Sequence, residues 1–392
     1  MTSPHASDAT PSLYDPAHRS LASWMGALFA LIMLLVAVGG FVRLTGSGLS
    51  IPEWPFINGS LLPPFSEDGW VVLKEEFYRD QERLRAAQEA GAVGLGSLGR
   101  IPEDMTDFKV MFYIEWSHRA LASIIGIIAL VCMIVCMRNA FLWQRCGQLL
   151  TATVILIVGQ AVLGGVLVKS GTSTHFLFMH LGTAAIIACM VIWALMRLLA
   201  PRHESPIPAE VRRKRHWSRT VLVVAMVITW VQIIFGALVA GSRGDSAVIP
   251  TWPLMNGAWI PSLWNERYGV AWNLLDNAVM LQWVHRWFAW VVVAVVAYAA
   301  WCVRRSPAGE RQRLASHFMF GLLLTQMALG VFNVFAGGVN VLIALIHLVT
   351  GVMLLASLVV VYHDARYEQP SNEPHRQPSP RPADPETHAE VV

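Results

Sequence analysis

Four histidines divide into two equally spaced pairs: His118 and His180 are 62 residues apart, and so are His285 and His347. Their surroundings repeat as well. IEWSHRALA at 114–122 is answered by LQWVHRWFA at 281–289, and FMHLGTA around His180 by LIHLVTG around His347. Imidazole is the commonest axial ligand of heme iron, and helical bundles build such sites from side chains on facing helices. The pairing predicts two heme sites, His118 with His180 and His285 with His347. One lone intramembrane histidine reads more simply as a hydrogen bond to a neighbouring helix; four in duplicated register point to ligation. Zinc fits less well, because a structural zinc takes about four ligands and no cysteine or second histidine accompanies these. His175 lies five residues before His180, roughly 140° round the helix from it. It has no counterpart in the second copy and is expected at the membrane interface, outside the ligand set.

The copies differ in one group able to do acid–base chemistry. Glu115 precedes His118 by three residues and shares its helix face; Gln282 holds that place before His285. A carboxylate can take or release a proton or stabilise charge, whereas an amide does not titrate at accessible pH. The first copy is expected to react, and the second to serve structure or electron transfer. The simpler role for Glu115 is a pair with an arginine such as Arg43 or Arg119. Arg43, Arg119 and Arg286 fall near the outer ends of their spans, where they would either contact heme propionates or reach for the headgroups.

These residues need a scaffold, and the composition says which kind. The chain has 392 residues, 55% hydrophobic and 14% charged, against roughly 25% charged in a soluble domain; its mean hydropathy is +0.49. Eight apolar runs long enough to cross a bilayer lie near 22–43, 113–137, 147–168, 175–200, 219–240, 279–303, 315–336 and 340–363. The expected fold is an all-α integral membrane protein of eight transmembrane helices. An even number of spans per copy keeps both copies in one orientation, so two duplicated four-helix bundles related by a pseudo-twofold along the membrane normal are expected. The repeat reaches the loops: IPEWPFINGSLLP from Ile51 and IPTWPLMNGAWIP from Ile249 are offset by 198. Their prolines and Asn-Gly turns, with interfacial tryptophan, suit lids over the two sites. GQAVLGG from Gly159 and TQMALGV from Thr325 are a smaller echo.

The organisation that follows is a tail 1–21, a first half 22–200 with a long outer loop 44–112, a basic linker 201–218, a second half 219–364 and a tail 365–392. The last is rich in proline and charge and is expected to be disordered. Basic residues at Arg202, Arg212, Arg213, Lys214, Arg215 and Arg219, and at Arg304, Arg305, Arg311 and Arg313, place both termini in the cytoplasm. The histidines then form one layer, five to eight residues or roughly 10 Å inside the outer face. The charged stretch at 74–90 reads as a helix on the membrane surface. Cys132, Cys136, Cys146, Cys189 and Cys302 fall in or beside the helices toward the cytoplasmic side, with no metal-like spacing and no outer-loop pair, so no disulfide framework is expected. A pI near 8.7 fits contact with anionic lipid, and nothing supports nucleic-acid binding. The polar N-terminus reads as neither a removable signal peptide nor an arginine-rich leader, so a bacterial inner membrane is expected over a mitochondrial one.

RLTGSGLSIPEWP from Arg43, EWSHR from Glu115, HLGTA from His180, GALVAG from Gly236, TWPLMNG from Thr251, VHRWFAW from Val284 and IHLVTG from Ile346 together resemble the heme A synthase family. The resemblance covers roughly residues 22–364 and its ordered motifs are specific. It implies an oxidoreductase that converts a methyl substituent of heme O to the formyl group of heme A by successive hydroxylations, for cytochrome oxidase assembly. Carried over by position, His118 and His180 would frame the substrate heme O, Glu115 would stand beside the reacting edge, and His285 and His347 would ligate a resident heme b. Expected partners are heme O, the bilayer, a heme O synthase, an electron acceptor and further copies of the chain. Two features depart from the family: no cysteine pair lies between residues 44 and 112, and KSGTSTHFLFMH at 169–180 is unlike its patterns. The rival readings are a non-enzymatic membrane diheme b-type cytochrome, to which the Glu115 and Gln282 contrast is foreign, and a two-repeat transporter. The transporter would have helices broken near the midplane, whereas here glycines cluster near helix ends, as in AVGGFV.

Overall fold

The computed structural model describes residues 16–90, 98–200, 207–242, 249–266, 269–338 and 340–370. Most of the expected N-terminal tail and residues 371–392 of the expected disordered tail lie outside that set. Among the described residues the regular structure is helical, with only two isolated β-bridges, Ile57 to Ser60 and Met255 to Ala258. The helices are α1 (Pro16–Leu44), α2 (Glu67–Glu89), α3 (Met105–Met137), α4 (Ala140–Leu142), α5 (Gln148–Lys169), α6 (Thr174–Leu199), α7 (Ala209–Lys214), α8 (His216–Gly241), α9 (Val270–Leu275), α10 (Ala278–Arg305), α11 (Glu310–Phe335) and α12 (Val341–Tyr367). A π-helical turn, Trp143–Gly147, joins α4 to α5 in one continuous run. Eight of these segments, with α4 to α5 as one, are long and apolar enough to cross a membrane. Their outward faces carry Ile127, Ile155, Val158, Val227 and Phe332 in the open. Such faces suit hydrocarbon, in which a helix also satisfies its own backbone hydrogen bonds.

Each span runs past the apolar core that marks it in the sequence, because polar caps and packing set the ends. Asp104 accepts the Asp107 N–H and starts α3 at Met105, eight residues before the apolar run. Asn277 and Asn340 cap α10 and α12 in the same way. Helix α1 begins at Pro16, with His18 and Leu21 buried. The boundary expected at 364 moves to Tyr367, since Asp364 is fully buried against Arg311 and Ala365 is packed. The charged stretch of the long loop is helical, as α2, and buries Trp70, Leu73, Phe77, Gln81 and Leu84 over the start of α3.

The spans form two closed rings of four. In the first, α1 contacts α3 and α6, and α5 contacts α3 and α6; in the second, α8 contacts α10 and α12, and α11 contacts α10 and α12. Between the rings, α6 meets α8 and α12, and α1 meets α12. Glycines let these backbones approach, as small residues do in membrane bundles: a Cβ on Gly182 would lie 2.4 Å from Ile234, and one on Gly40 2.7 Å from Leu348. Trp230 crosses the seam to donate to the Gly182 carbonyl at 3.0 Å, and Arg43 to that of Ala240 at 2.9 Å.

At the end that carries the termini, arginines satisfy chain carbonyls left open by turns and helix ends. Arg145 donates to the carbonyls of Arg197 and Ala200. Arg215, with no exposed surface, donates to Pro307 and Glu368, while the Glu368 carboxylate accepts the N–H groups of Arg311 and Gln312 at the start of α11.

Candidate functional site

The four histidines occupy one diagonal of each ring, and glycines occupy the other. His118 on α3 lies against Gly39 of α1, His180 on α6 against Gly164 of α5, His285 on α10 against Gly236 of α8, and His347 on α12 against Gly330 of α11. A Cβ built on those glycines would stand 3.0, 3.5, 3.2 and 3.2 Å from the respective rings. Each imidazole therefore rests where a neighbouring helix offers backbone instead of a side chain. His118 and His180 lie within electrostatic reach of one another, as do His285 and His347. His180 Nδ1 and His347 Nδ1 are buried without a hydrogen-bond partner. Three of the histidines sit six or seven residues into their helices, as expected; His118 sits thirteen in, because α3 starts early under α2. Among the described residues no three His, Cys, Asp or Glu side chains gather into a cage, so each pair offers two ligands, the number a porphyrin iron accepts from protein.

Above each pair, one loop is tied to one helix by the same set of bonds. Arg119 donates to the carbonyls of Ile51 and Glu53, and Arg286 to those of Ile249 and Thr251. Trp116 Nε1 donates to the Leu61 carbonyl at 3.2 Å, and Trp283 Nε1 to that of Trp259 at 3.0 Å. Each loop holds a cis Trp–Pro bond, at Pro55 and Pro253, and a positive-φ Asn-Gly turn at 58–59 and 256–257. Asn58 N–H is received by Glu53, and Asn256 N–H by Thr251. In both loops the turn needs left-handed backbone, which asparagine and glycine adopt most readily.

Glu115 and Gln282 fill one shared position at the root of these loops. Both are buried, and both accept the first loop N–H, from Ile51 at 3.3 Å and from Ile249 at 3.0 Å. Their other bonds differ. Glu115 receives Arg119 at 2.6 Å and the Ser50 hydroxyl at 3.1 Å; Gln282 receives Arg286 at only 3.4 Å. The arginine pair weighed for Glu115 is present, with Arg119. The three outer arginines engage main-chain carbonyls, a use that their charge and position in sequence do not reveal.

A family model described as cytochrome oxidase assembly protein, COX15-CtaA, matches residues 22–359. The chain belongs to this family. Among its relatives, a protein named heme A synthase from Erythrobacter litoralis is 34% identical over 358 residues, covering 88% of this chain and 96% of its own. One of the same name from Rhodopseudomonas palustris is 35% identical, covering 86% and 88% respectively, and one from Bartonella quintana 31%, covering 90% and 94%.

In this member of the COX15-CtaA family the two sites are not identical around their histidines. Gln232 of α8 brings Nε2 to 3.1 Å from His285 Nδ1 and 2.9 Å from the His285 carbonyl. Gly236 and Gly39 touch equivalent rings, so the residue one turn earlier on α1 is Leu35, which packs in the first core. Gln160 and Gln326, from the smaller sequence echo, recur in both halves: the first donates to the His180 carbonyl at 2.7 Å, and the second lies 3.4 Å from His347 Nε2. Trp54 from the first loop lies against Gly165, where a Cβ would come within 2.6 Å of the indole; the matching residue after Gly330 is Val331. His175 meets the outer edge of the second half, 3.9 Å from Asp276 and edge-on to Trp272. Burial pushes the Asp276 carboxyl up, and His175 draws it part of the way back.

The sequence pointed to the histidines, the Glu115 and Gln282 contrast and the paired loops. It missed Ser50, Gln232 and the glycine seats. Gly164 and Gly330 did lie inside a repeated phrase, and that repetition was the available signal.

Proposed function

We propose that the protein is a heme A synthase, an enzyme that takes heme O and oxidises one methyl substituent to a formyl group by successive hydroxylations. His118 and His180 hold the substrate heme in the first ring, and His285 and His347 hold a resident heme b in the second. The donor chemistry fits: paired imidazoles, two of them with an unsatisfied buried Nδ1, seated on glycines with no competing third ligand among the described residues. When bound, heme b supplies a one-electron redox centre.

The chain's own contribution at the reacting edge falls to Glu115. Converting a methyl to a formyl group releases protons along with electrons, so a fixed base is needed beside that carbon. The Glu115 carboxylate is fixed by a guanidinium, a hydroxyl and a backbone N–H, and can receive a proton by exchanging one of these bonds. Arg119, through Ile51 and Glu53, ties the loop to α3 beside Glu115. In the second ring Gln282 keeps the same loop bond without a titratable group, which suits a site that holds its occupant.

The observation that carries this reading is one shared position occupied by a carboxylate in the first ring and an amide in the second. In a bacterial inner membrane, with both termini cytoplasmic, the sites lie toward the outer face, open to heme O arriving through the bilayer from a heme O synthase. Pigment extraction from the purified protein tests the reading. Heme O and heme A together with heme b support it; heme b alone in both sites would leave the electron-transfer cytochrome.

A further inference from the structure

We infer that Gln232 is a positioning residue that locks the His285 imidazole and makes the second site the retaining one, while Leu35 leaves the first site free to exchange its occupant. The inference rests on the proposed assignment of a resident heme to His285 and His347, and goes beyond it by naming what separates residence from turnover.

A neutral imidazole has one N–H and one lone pair. The nitrogen bound to a metal uses its lone pair, and the other nitrogen is free to be held by a neighbour, which sets the ring's rotation and basicity. Gln232 stands at Nδ1, 3.1 Å away, which leaves Nε2 as the nitrogen for iron. The same amide donates to the His285 carbonyl at 2.9 Å, so one side chain of α8 reaches both the ring and the main chain of this ligand on α10. Gln232 Oε1 is buried and has no other partner. With Nε2 on iron, Nδ1 carries the proton, and a half-turn of the carboxamide presents this oxygen to accept it in place of the bond to the His285 carbonyl. The turned oxygen must also draw away from the His285 carbonyl oxygen, which lies 2.9 Å from the amide nitrogen it replaces, so holding the Nδ1 proton shifts the Gln232 side chain toward the ring.

In the first ring the equivalent position cannot do this. Leu35 sits one turn before Gly39, as Gln232 sits one turn before Gly236, and both glycines carry the corresponding histidine ring. Leu35 packs against the first core and has no group that could hydrogen-bond an imidazole. Gln160 and Gln326 hold matching places in the two rings but are used differently: Gln160 donates to the His180 carbonyl, whereas Gln326 lies 3.4 Å from His347 Nε2. The exchange of Leu35 on α1 for Gln232 on α8 is the difference that meets a ligand ring at Nδ1.

The test uses the full chain in detergent. Gln232→Leu, which installs the first ring's residue, is expected to weaken retention of heme b by roughly 10–100-fold, the usual effect of losing a ligand's outer partner. It should also move the midpoint potential of the remaining heme upward, because an imidazole without an acceptor at Nδ1–H donates less to ferric iron. Gln232→Glu, which keeps an acceptor at Nδ1, should restore retention and return the potential to or below its starting value. The reciprocal Leu35→Gln should slow loss of heme from the first site. Should Gln232→Leu fold poorly, Gln232→Met keeps the shape without the polar end and answers the same question. Full retention with unchanged potential and absorption spectrum in Gln232→Leu or Gln232→Met would overturn the inference. The parent assignment fails separately: if His285→Ala leaves heme b content unchanged, no heme is held there and the role of Gln232 falls with it.

Discussion

The two rings hold the same frame and differ in what stands next to it. Histidines on one diagonal, glycines on the other, an arginine clasping two loop carbonyls and an indole N–H holding a third recur in both. Three neighbours do not recur. The first ring has Glu115, Leu35 and a glycine that seats Trp54; the second has Gln282, Gln232 and Val331. The shared set is the frame of helix, loop and histidine; the three differences stand beside it and, on the proposed function, separate a reacting site from a retaining one.

The sharpest way to break this comparison is Glu115→Gln, which gives the first ring the second ring's amide. Heme A formation should fall by roughly 10²–10⁴-fold, the range for losing a positioned acid–base group, while heme content stays; product extracted from cells carrying the variant measures it. Wild-type conversion would remove the proposed role. Next come the glycine seats, where the frame should respond in order of clearance. Gly39→Ala, with its Cβ 3.0 Å from His118 Nε2, should disturb ligation most. Gly236→Ala and Gly330→Ala at 3.2 Å should follow, and Gly164→Ala at 3.5 Å should be tolerated. Absorption spectra of the four proteins would read that order, and an equal loss in all four would argue against seating. Gly165→Val introduces the second ring's residue beneath Trp54, at a place with only 2.6 Å of room. Overpacking of this kind costs about 1–3 kcal/mol. It should appear as a raised KM for heme O with heme b content unchanged, whereas a drop in kcat alone would place Trp54 in the chemistry. The smallest effect is expected from Gln282→Glu. The new carboxylate finds Arg286 and the Ile249 N–H already in place, so heme extracted from the second site should remain heme b and Tm should move little; heme A appearing there would mean that the carboxylate alone sets the chemistry.

The eight spans were legible because a long apolar run has few other fates, and the pairing of the histidines because the same spacing is written twice. What was not legible depended on chain returning from elsewhere. Arg119 and Arg286 read as cations near an interface; their acceptors are carbonyls of a loop whose path no local pattern gives. Helix ends were misjudged where a cap, such as Asp104, extends a helix beyond the apolar run. Gln232 lies in an apolar stretch and looks like an ordinary polar interruption until α8 is set against α10 and the amide meets His285. The charged stretch at 74–90 was read as a helix, and α2 is one, but its buried Trp70 and Phe77 tie it to α3 over the first site.

Arg215 also constrains the order of manufacture. Its carbonyl acceptors lie 92 and 153 residues further along the chain, and a ribosome extends a polypeptide at about 5–20 residues per second. Roughly 5–20 s pass before Pro307 is made, and longer before Glu368, so this cation must stay with water or anionic headgroups until the chain that covers it has arrived. A nascent chain stalled before Pro307 should be open to quality-control proteases at that end.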